Sequence, residues 1–272
     1  MDTTPTIRLT IPPQHDGRPL RELVAEVLGD ELDAVRLIER GGLWVDGARM
    51  RDVDARARPG TEVAIHRPLS GAYPEIEVSA AQIVYEDEDL LALNKPAGVY
   101  VDSTPWDAEG NYHAALLRFI AARDGTTPRL HLAHRLDRDT TGVLLVTKNP
   151  EMNPQIQAAF IHGRVSKQYL AMCAGAPMED SFALTSGHGR GAHGLFRVYP
   201  AEEIGRVLVN GSRVKAMRTR FEVERRAADA SLVRAFPETG RTHQIRLHLA
   251  YLDHPLIGDT RYGGPALWRG EP

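Results

Sequence analysis

The chain has 272 residues, 42% hydrophobic and 25% charged, with a formal net charge of −3. That is an ordinary globular composition with room for one large core or two domains, and no run approaches the roughly 20 apolar residues of a membrane helix. A single cysteine, Cys173, rules out an intramolecular disulfide and fits a reducing compartment.

The polar N-terminus "MDTTPTIRLT" shows no secretory signal, so the expected location is the cytoplasm. In "RPLRELVAEVLG", Leu20, Leu23, Val24, Val27 and Leu28 repeat at helical spacing. A second short helix carries Val35 and Ile38 on its apolar side and stops at Gly41-Gly42. "LWVDGARM" reads as two strands around an Asp-Gly turn, and "RPGTEVAIHRP" as a turn and one more strand. Residues 1–67 therefore form a first domain, and the Pro/Gly-containing 68–79 a linker.

Residues 80–272 form the second domain. "IVYEDEDLLALNKP" reads as a hairpin with an acidic turn, "NYHAALLRFIAA" as a helix, "GVLLVTK" as a buried strand and "PEMNPQIQAAFIHG" as a helix. "KQYLAMCAG" is a strand and further strands follow. "RTHQIRLHLAYLD" is a helix with Ile245, Leu249 and Leu252 on one face. Strands outnumber helices without strict alternation, so the expected class is α+β on a largely antiparallel or mixed sheet with flanking helices.

Charge is uneven. Residues 185–226 hold nine Arg or Lys and four Glu, a basic stretch on an acidic chain and a candidate polyanion surface. Only four of the 33 basic residues are Lys: Lys95, Lys148, Lys167 and Lys215. Each sits in a motif-like string.

Three charged strings flank expected elements. "HRLDRDTTG" places Asp137 six residues before the strand "VLLVTK", with Gly142 permitting close approach; "SKQYLAM" puts Tyr169 at a strand start; "GRTHQIR" puts Arg241 at the opening of a helix. A guanidinium fork that pairs with a carboxylate keeps it ionised when desolvated, and such a carboxylate can serve as nucleophile or base. A purely structural ion pair reads the same spacing equally well. The histidines show no metal-ligand spacing, no phosphate loop matches, and no G-x-S-x-G elbow occurs.

"NKPAGVYV", "HLAHRLDRDTTGVLLVTKN", "KQYLA" and "GRTHQIRLHLAYLDHPLIGDTRYGG", in this order, resemble the RluA-type family of RNA pseudouridine synthases, and "LIERGGLWVDG" with "PGTEV" resembles an S4-like RNA-binding domain. Thr141, Asp102, Ser103 and the segment "SGHGRGAHGLFRVYP" depart from the family pattern. The resemblance implies an isomerase that needs no cofactor and no metal, acting as a monomer on ribosomal or transfer RNA. It implies Asp137 as the catalytic carboxylate, Arg241 as its partner and Tyr169 as a stacking ring on the uracil. Ile245 would pack under that ring, and Arg135 would fill the gap left by a flipped-out uridine. The competing readings are a non-catalytic RNA-binding or ribosome-associated protein and, less well supported, a glycosidase, which would need a second carboxylate.

Overall fold

The computed structural model describes residues 6–191 and 195–269, and its chain divides into two compact units, Met1–Pro154 and Gln155–Pro272. The boundary expected between residues 67 and 80 falls inside the first unit.

The first unit opens with β1 (Ile7–Thr10), α1 (Leu20–Leu28) and α2 (Glu31–Arg40). The Asp30 carboxylate accepts from the Asp33 N–H at 2.8 Å and caps α2, while Gly41, at φ 82°, ends it. Its buried face is Ala34, Leu37 and Ile38. Val35 is only half-buried, so the stripe runs one position away from the expected one. Next come β2 (Leu43–Val45), β3 (Ala48–Met50) and β4 (Glu62–Ile65). Asp46 and Gly47, at φ 48° and 77°, form the expected tight turn. The sheet order is β1-β4-β2-β3, and Ile11, Leu20, Leu37, Ile38, Leu43 and Ile65 pack as its core. β1 has only two apolar residues, Ile7 and Leu9, too few for a sequence signal; its pairing with β4 defines it.

A second sheet in this unit contains β5 (Ile83–Glu86), β6 (Leu90–Lys95), β7 (His131–Leu132) and β8 (Gly142–Thr147), in the order β5-β6-β8-β7. The acidic turn is explained by Asp87, whose Oδ1 accepts from the N–H groups of Asp89 (2.9 Å) and Leu90 (2.7 Å). Helix α3 (Tyr112–Asp124) is capped by Asn111 and covers Leu91, Leu93, Leu144 and Val146 with Leu116 and Ile120. β8 is not buried on both faces as its apolar run suggested. Leu144 and Val146 enter the core, whereas Val143 is 62% exposed. In the expected linker the Tyr73 ring meets Arg36 and Arg40, the Pro74 carbonyl accepts from Arg40, and Val78 joins the core.

Helix α4 (Met152–Ile161) leads into the second unit, with β9 (Tyr169–Ala174), β10 (Ser181–Arg190), β11 (Phe196–Tyr199), β12 (Lys215–Arg226), β13 (Ala230–Pro237) and α5 (Gln244–Tyr251). The order is β11-β10-β12-β13-β9. Among the described residues every ladder is antiparallel, which resolves the "largely antiparallel or mixed" expectation. Leu249 of α5 packs on Cys173, Phe221, Val233 and Ala235. Burial pushes the Cys173 thiol up to about 11, so it is an inert core residue. Among the described residues no helix is long and apolar enough to cross a membrane.

Candidate active site

Asp137 lies in the loop that feeds β8. The residues around it divide the loop's tasks: Leu136 packs against the core, Arg135 is exposed, and Asp137 itself is half-buried. The Thr140 N–H closes a turn onto the Asp137 carbonyl at 3.2 Å. Gly142 then enters β8 at φ 115°, where a side chain is strained. A Cβ there would meet nothing within 4 Å, so Gly142 serves backbone conformation and not the close approach expected of it. On the other side of the loop the His134 ring nitrogen Nε2 accepts the Leu145 N–H at 3.0 Å, fixing the loop's start against β8.

The sequence noted Lys95 without assigning it a role. Its side chain is fully buried, and Nζ donates to the carbonyls of Pro96 (2.6 Å), Val99 (2.9 Å) and Arg138 (2.9 Å). The Val99 N–H also donates to the Arg138 carbonyl. Lys95 thus clasps the turn after β6 to the residue next to Asp137. Burial pushes this ammonium down to about 8, opposed by the charges of Asp139 and Asp137.

The second unit holds Tyr169, Arg241 and Ile245. Tyr169 begins β9 and pairs with Ala235 of β13; Tyr169 and Ile245 both pack, half-buried, on the Cys173–Phe221–Val233 cluster. Arg241 does not open the helix as expected. Helix α5 starts three residues later, after His243 in the left-handed region at φ 59°, and its buried face is Leu247, His248 and Leu249 with Gln244. The Arg241 Nε donates to the Ala216 carbonyl at 2.9 Å. Its guanidinium is therefore held by a carbonyl. Burial and then Arg218 pull its pKa down, and Lys167, hydrogen-bonded to the Thr239 carbonyl at 2.9 Å, is lowered by burial and then by Arg241. Two half-buried cations close enough for Arg241 to depress Lys167 suit an anionic partner.

Gln244, which sequence reasoning passed over, fixes that loop. Its Oε1 accepts from Thr239 Oγ1 (2.8 Å) and the Arg241 N–H (3.0 Å), and its Nε2 donates to the Arg218 carbonyl (2.8 Å) and Thr219 Oγ1 (2.9 Å). His188 Nε2 meets the Thr242 carbonyl at 3.0 Å, and His248, fully buried, bridges Thr219 Oγ1 and Ser186 Oγ. The only sequence signal for Gln244, His248 and His188 was their place in "GRTHQIRLHL" and "SGHGR".

All five expected residues lie within residues 89–251, the stretch that matches the family model described as RNA pseudouridylate synthase. The chain belongs to that family. RNA pseudouridine synthase 1 of Oryza sativa subsp. japonica is 38% identical over 248 residues, covering 77% of this chain and 69% of the relative. Ribosomal large subunit pseudouridine synthase D of Pseudomonas aeruginosa is 33% identical over 260 residues, 93% of this chain and 76% of the relative. The solved structure of human RNA Pseudouridylate Synthase Domain Containing 4 is similar with a TM-score of 0.56 and 26% identity, over 67% of this chain and 69% of that one. The protein is accordingly an isomerase that forms pseudouridine in RNA. Among the described residues no group of three or more His, Cys, Asp or Glu side chains stands together as a metal site.

Proposed function

We propose that this pseudouridine synthase acts on a uridine of large-subunit ribosomal RNA, with Asp137 as its catalytic carboxylate. The single observation that carries the assignment of Asp137 is the clasp beneath it: a fully buried lysine ties three carbonyls, one of them on the next residue, into a rigid base for a half-buried acid. The reaction breaks the N1–C1′ bond, turns the uracil and joins C5 to C1′; C5 loses a proton and N1 gains one, so no oxidant or cosubstrate enters the balance. Attack on the sugar, attack on the base and proton abstraction each require Asp137 ionised, and Arg241 is the cation proposed to keep it so. Tyr169 stacks on the uracil, Ile245 packs beneath it, and Arg135, exposed on the same loop as Asp137, takes the space vacated by the flipped nucleotide.

The ribosomal target is supported by relatives named for it, such as ribosomal large subunit pseudouridine synthase C of Vibrio cholerae, 37% identical over 66% of this chain and 52% of that protein. In this reading residues 1–67 are an S4-like RNA-contacting domain, 68–79 its connection and 80–272 the catalytic domain, working as a cytoplasmic monomer. Asp137→Asn, nearly isosteric, abolishes tritium release from RNA labelled at uridine C5 while RNA binding persists. Turnover near the wild-type rate in this variant refutes the assignment. Pseudouridine mapping in a deletion strain identifies the target; loss of a transfer-RNA site with ribosomal RNA unchanged refutes the ribosomal one.

A further inference from the structure

The β1-β4-β2-β3 sheet and its helices α1 and α2, the N-terminal lobe of the first unit, grip one turn of the chain with three side chains. Thr104 and Asp107 close that turn through paired backbone hydrogen bonds of 2.9 and 3.2 Å. Trp44 Nε1 donates to the Pro105 carbonyl at 2.8 Å, Arg49 to the Thr104 carbonyl at 2.6 Å, and Arg40 Nη2 to Asp107 Oδ2 at 2.5 Å. Asp107 is 2% exposed, and its other oxygen takes the N–H groups of Glu109 and Gly110, both at 2.9 Å. A carboxylate this buried requires its cation, so the grip is structural and not an incidental surface contact. It also occupies the basic residues of α2: Arg40 pairs with Asp107, and Arg36 and Arg40 lie over the Tyr73 ring.

The gripped turn carries Trp106, whose ring meets the edge of Tyr100 at 6.0 Å and 77°. The Arg138 guanidinium lies 5.9 Å from the centre of the Tyr100 ring. Arg138 follows Asp137 directly, and its carbonyl is the one held by Lys95 and the Val99 N–H. A continuous set of contacts therefore runs from the lobe through Trp106 and Tyr100 to the loop that bears Asp137. Asp102 and Ser103, where the sequence departs from the family pattern, lie between Tyr100 and the turn.

We infer that Trp106 and Tyr100 are positioning residues that transmit the docking of the N-terminal lobe to the Asp137 loop. The inference rests on Asp137 being the catalytic carboxylate. The lobe then acts on the chemical step in cis, whatever RNA it contacts. A small displacement of the reacting group lowers the rate steeply, so loosening this strut lowers turnover without weakening RNA binding.

The test uses the full chain and ribosomal RNA from a deletion strain, tritiated at uridine C5, with single-turnover release, RNA affinity and melting followed together. Trp106→Leu loses about tenfold in turnover at saturating RNA with affinity within about twofold, and Trp106→Phe recovers most of the loss. Adding Tyr100→Leu to Trp106→Leu costs no more than the slower single variant, because both act through one path. Trp44→Phe keeps an aromatic ring for His66 and Arg49 and removes the hydrogen bond to Pro105, a milder change than Trp106→Leu, and loses about threefold. Full turnover in folded Trp106→Leu or in Trp44→Phe, multiplicative losses in the double variant, or a loss confined to affinity overturns the inference. Asp137→Asn in the same assay separates the two claims. Activity there overturns the reading of Asp137, whereas an inactive Asp137→Asn beside a fully active Trp106→Leu overturns only the strut.

Discussion

Gln244→Leu tests whether the loop bearing Arg241 is held by one amide. The replacement keeps approximate volume and removes all four hydrogen bonds of a side chain that is 5% exposed. Two of the four partners, Thr239 Oγ1 and Thr219 Oγ1, are hydroxyls that can rotate; Thr219 also keeps its bond to His248. Of the other two, the Arg218 carbonyl still accepts from the Glu238 N–H, whereas the Arg241 N–H loses its acceptor. Leaving one buried group unsatisfied costs about 1–3 kcal/mol. For a chain of this size that is a fall in Tm of about 2–10 °C. The Arg241 N–H also loses its anchor, leaving the residue held by the bond from the backbone N–H of position 244 to its carbonyl and by Nε on the Ala216 carbonyl. Turnover in the tritium-release assay, run well below the lowered Tm, drops about a hundredfold, as expected for a charged group displaced by about 1 Å. A Gln244→Leu protein that melts within about 2 °C of the wild type and turns over at its rate refutes the reasoning.

Three other outcomes follow from particular residues. Gly142→Ala meets no steric obstacle, so its cost of about 1–3 kcal/mol by chemical denaturation is that of φ 115° alone, and an unchanged denaturation midpoint contradicts it. Burial, followed by the positive charge of Arg246, holds His243 down to about 3, and burial, followed by His188, holds His248 down to about 4, below the ordinary 6.5. The unfolded chain therefore binds more protons than the folded one as pH falls from about 6.5 toward 4, and stability declines across that window; a Tm that is flat from pH 7 to 5 refutes this. Arg190, Arg197 and Arg213 are exposed in the basic stretch, and replacing all three by Gln makes the slope of log affinity against log salt shallower by about 2, whereas an unchanged slope shows that they do not meet phosphate.

Local chemistry made much of this protein legible from its sequence. The Asp46-Gly47 turn, the acidic turn at Asp87, helix α1 and strands β6, β8 and β9 are decided within a few residues, and the sequence reports them directly. The strings around Asp137, Tyr169 and Arg241 pointed to the family by resemblance, whereas their spacing alone fitted a structural ion pair equally well. The sequence was silent where a side chain's partner lies far along the chain. β1 exists because β4 offers it an edge. Lys95 reads as one more surface cation until its three carbonyls, including that of Arg138, are brought round it. Gln244 reads as a polar helix residue until the ends of β12 and β13 supply its four partners. Residues 68–79 read as a connection until Arg40 meets the Pro74 carbonyl and the Tyr73 ring, and Arg40 reads as a surface cation until Asp107, 67 positions away, pairs with it. Composition and spacing encode what a residue can do within its own turn or strand. Whether a buried ion or amide is tolerated depends on partners that only the folded backbone brings within hydrogen-bonding distance, because desolvation makes each such group unfavourable until they arrive.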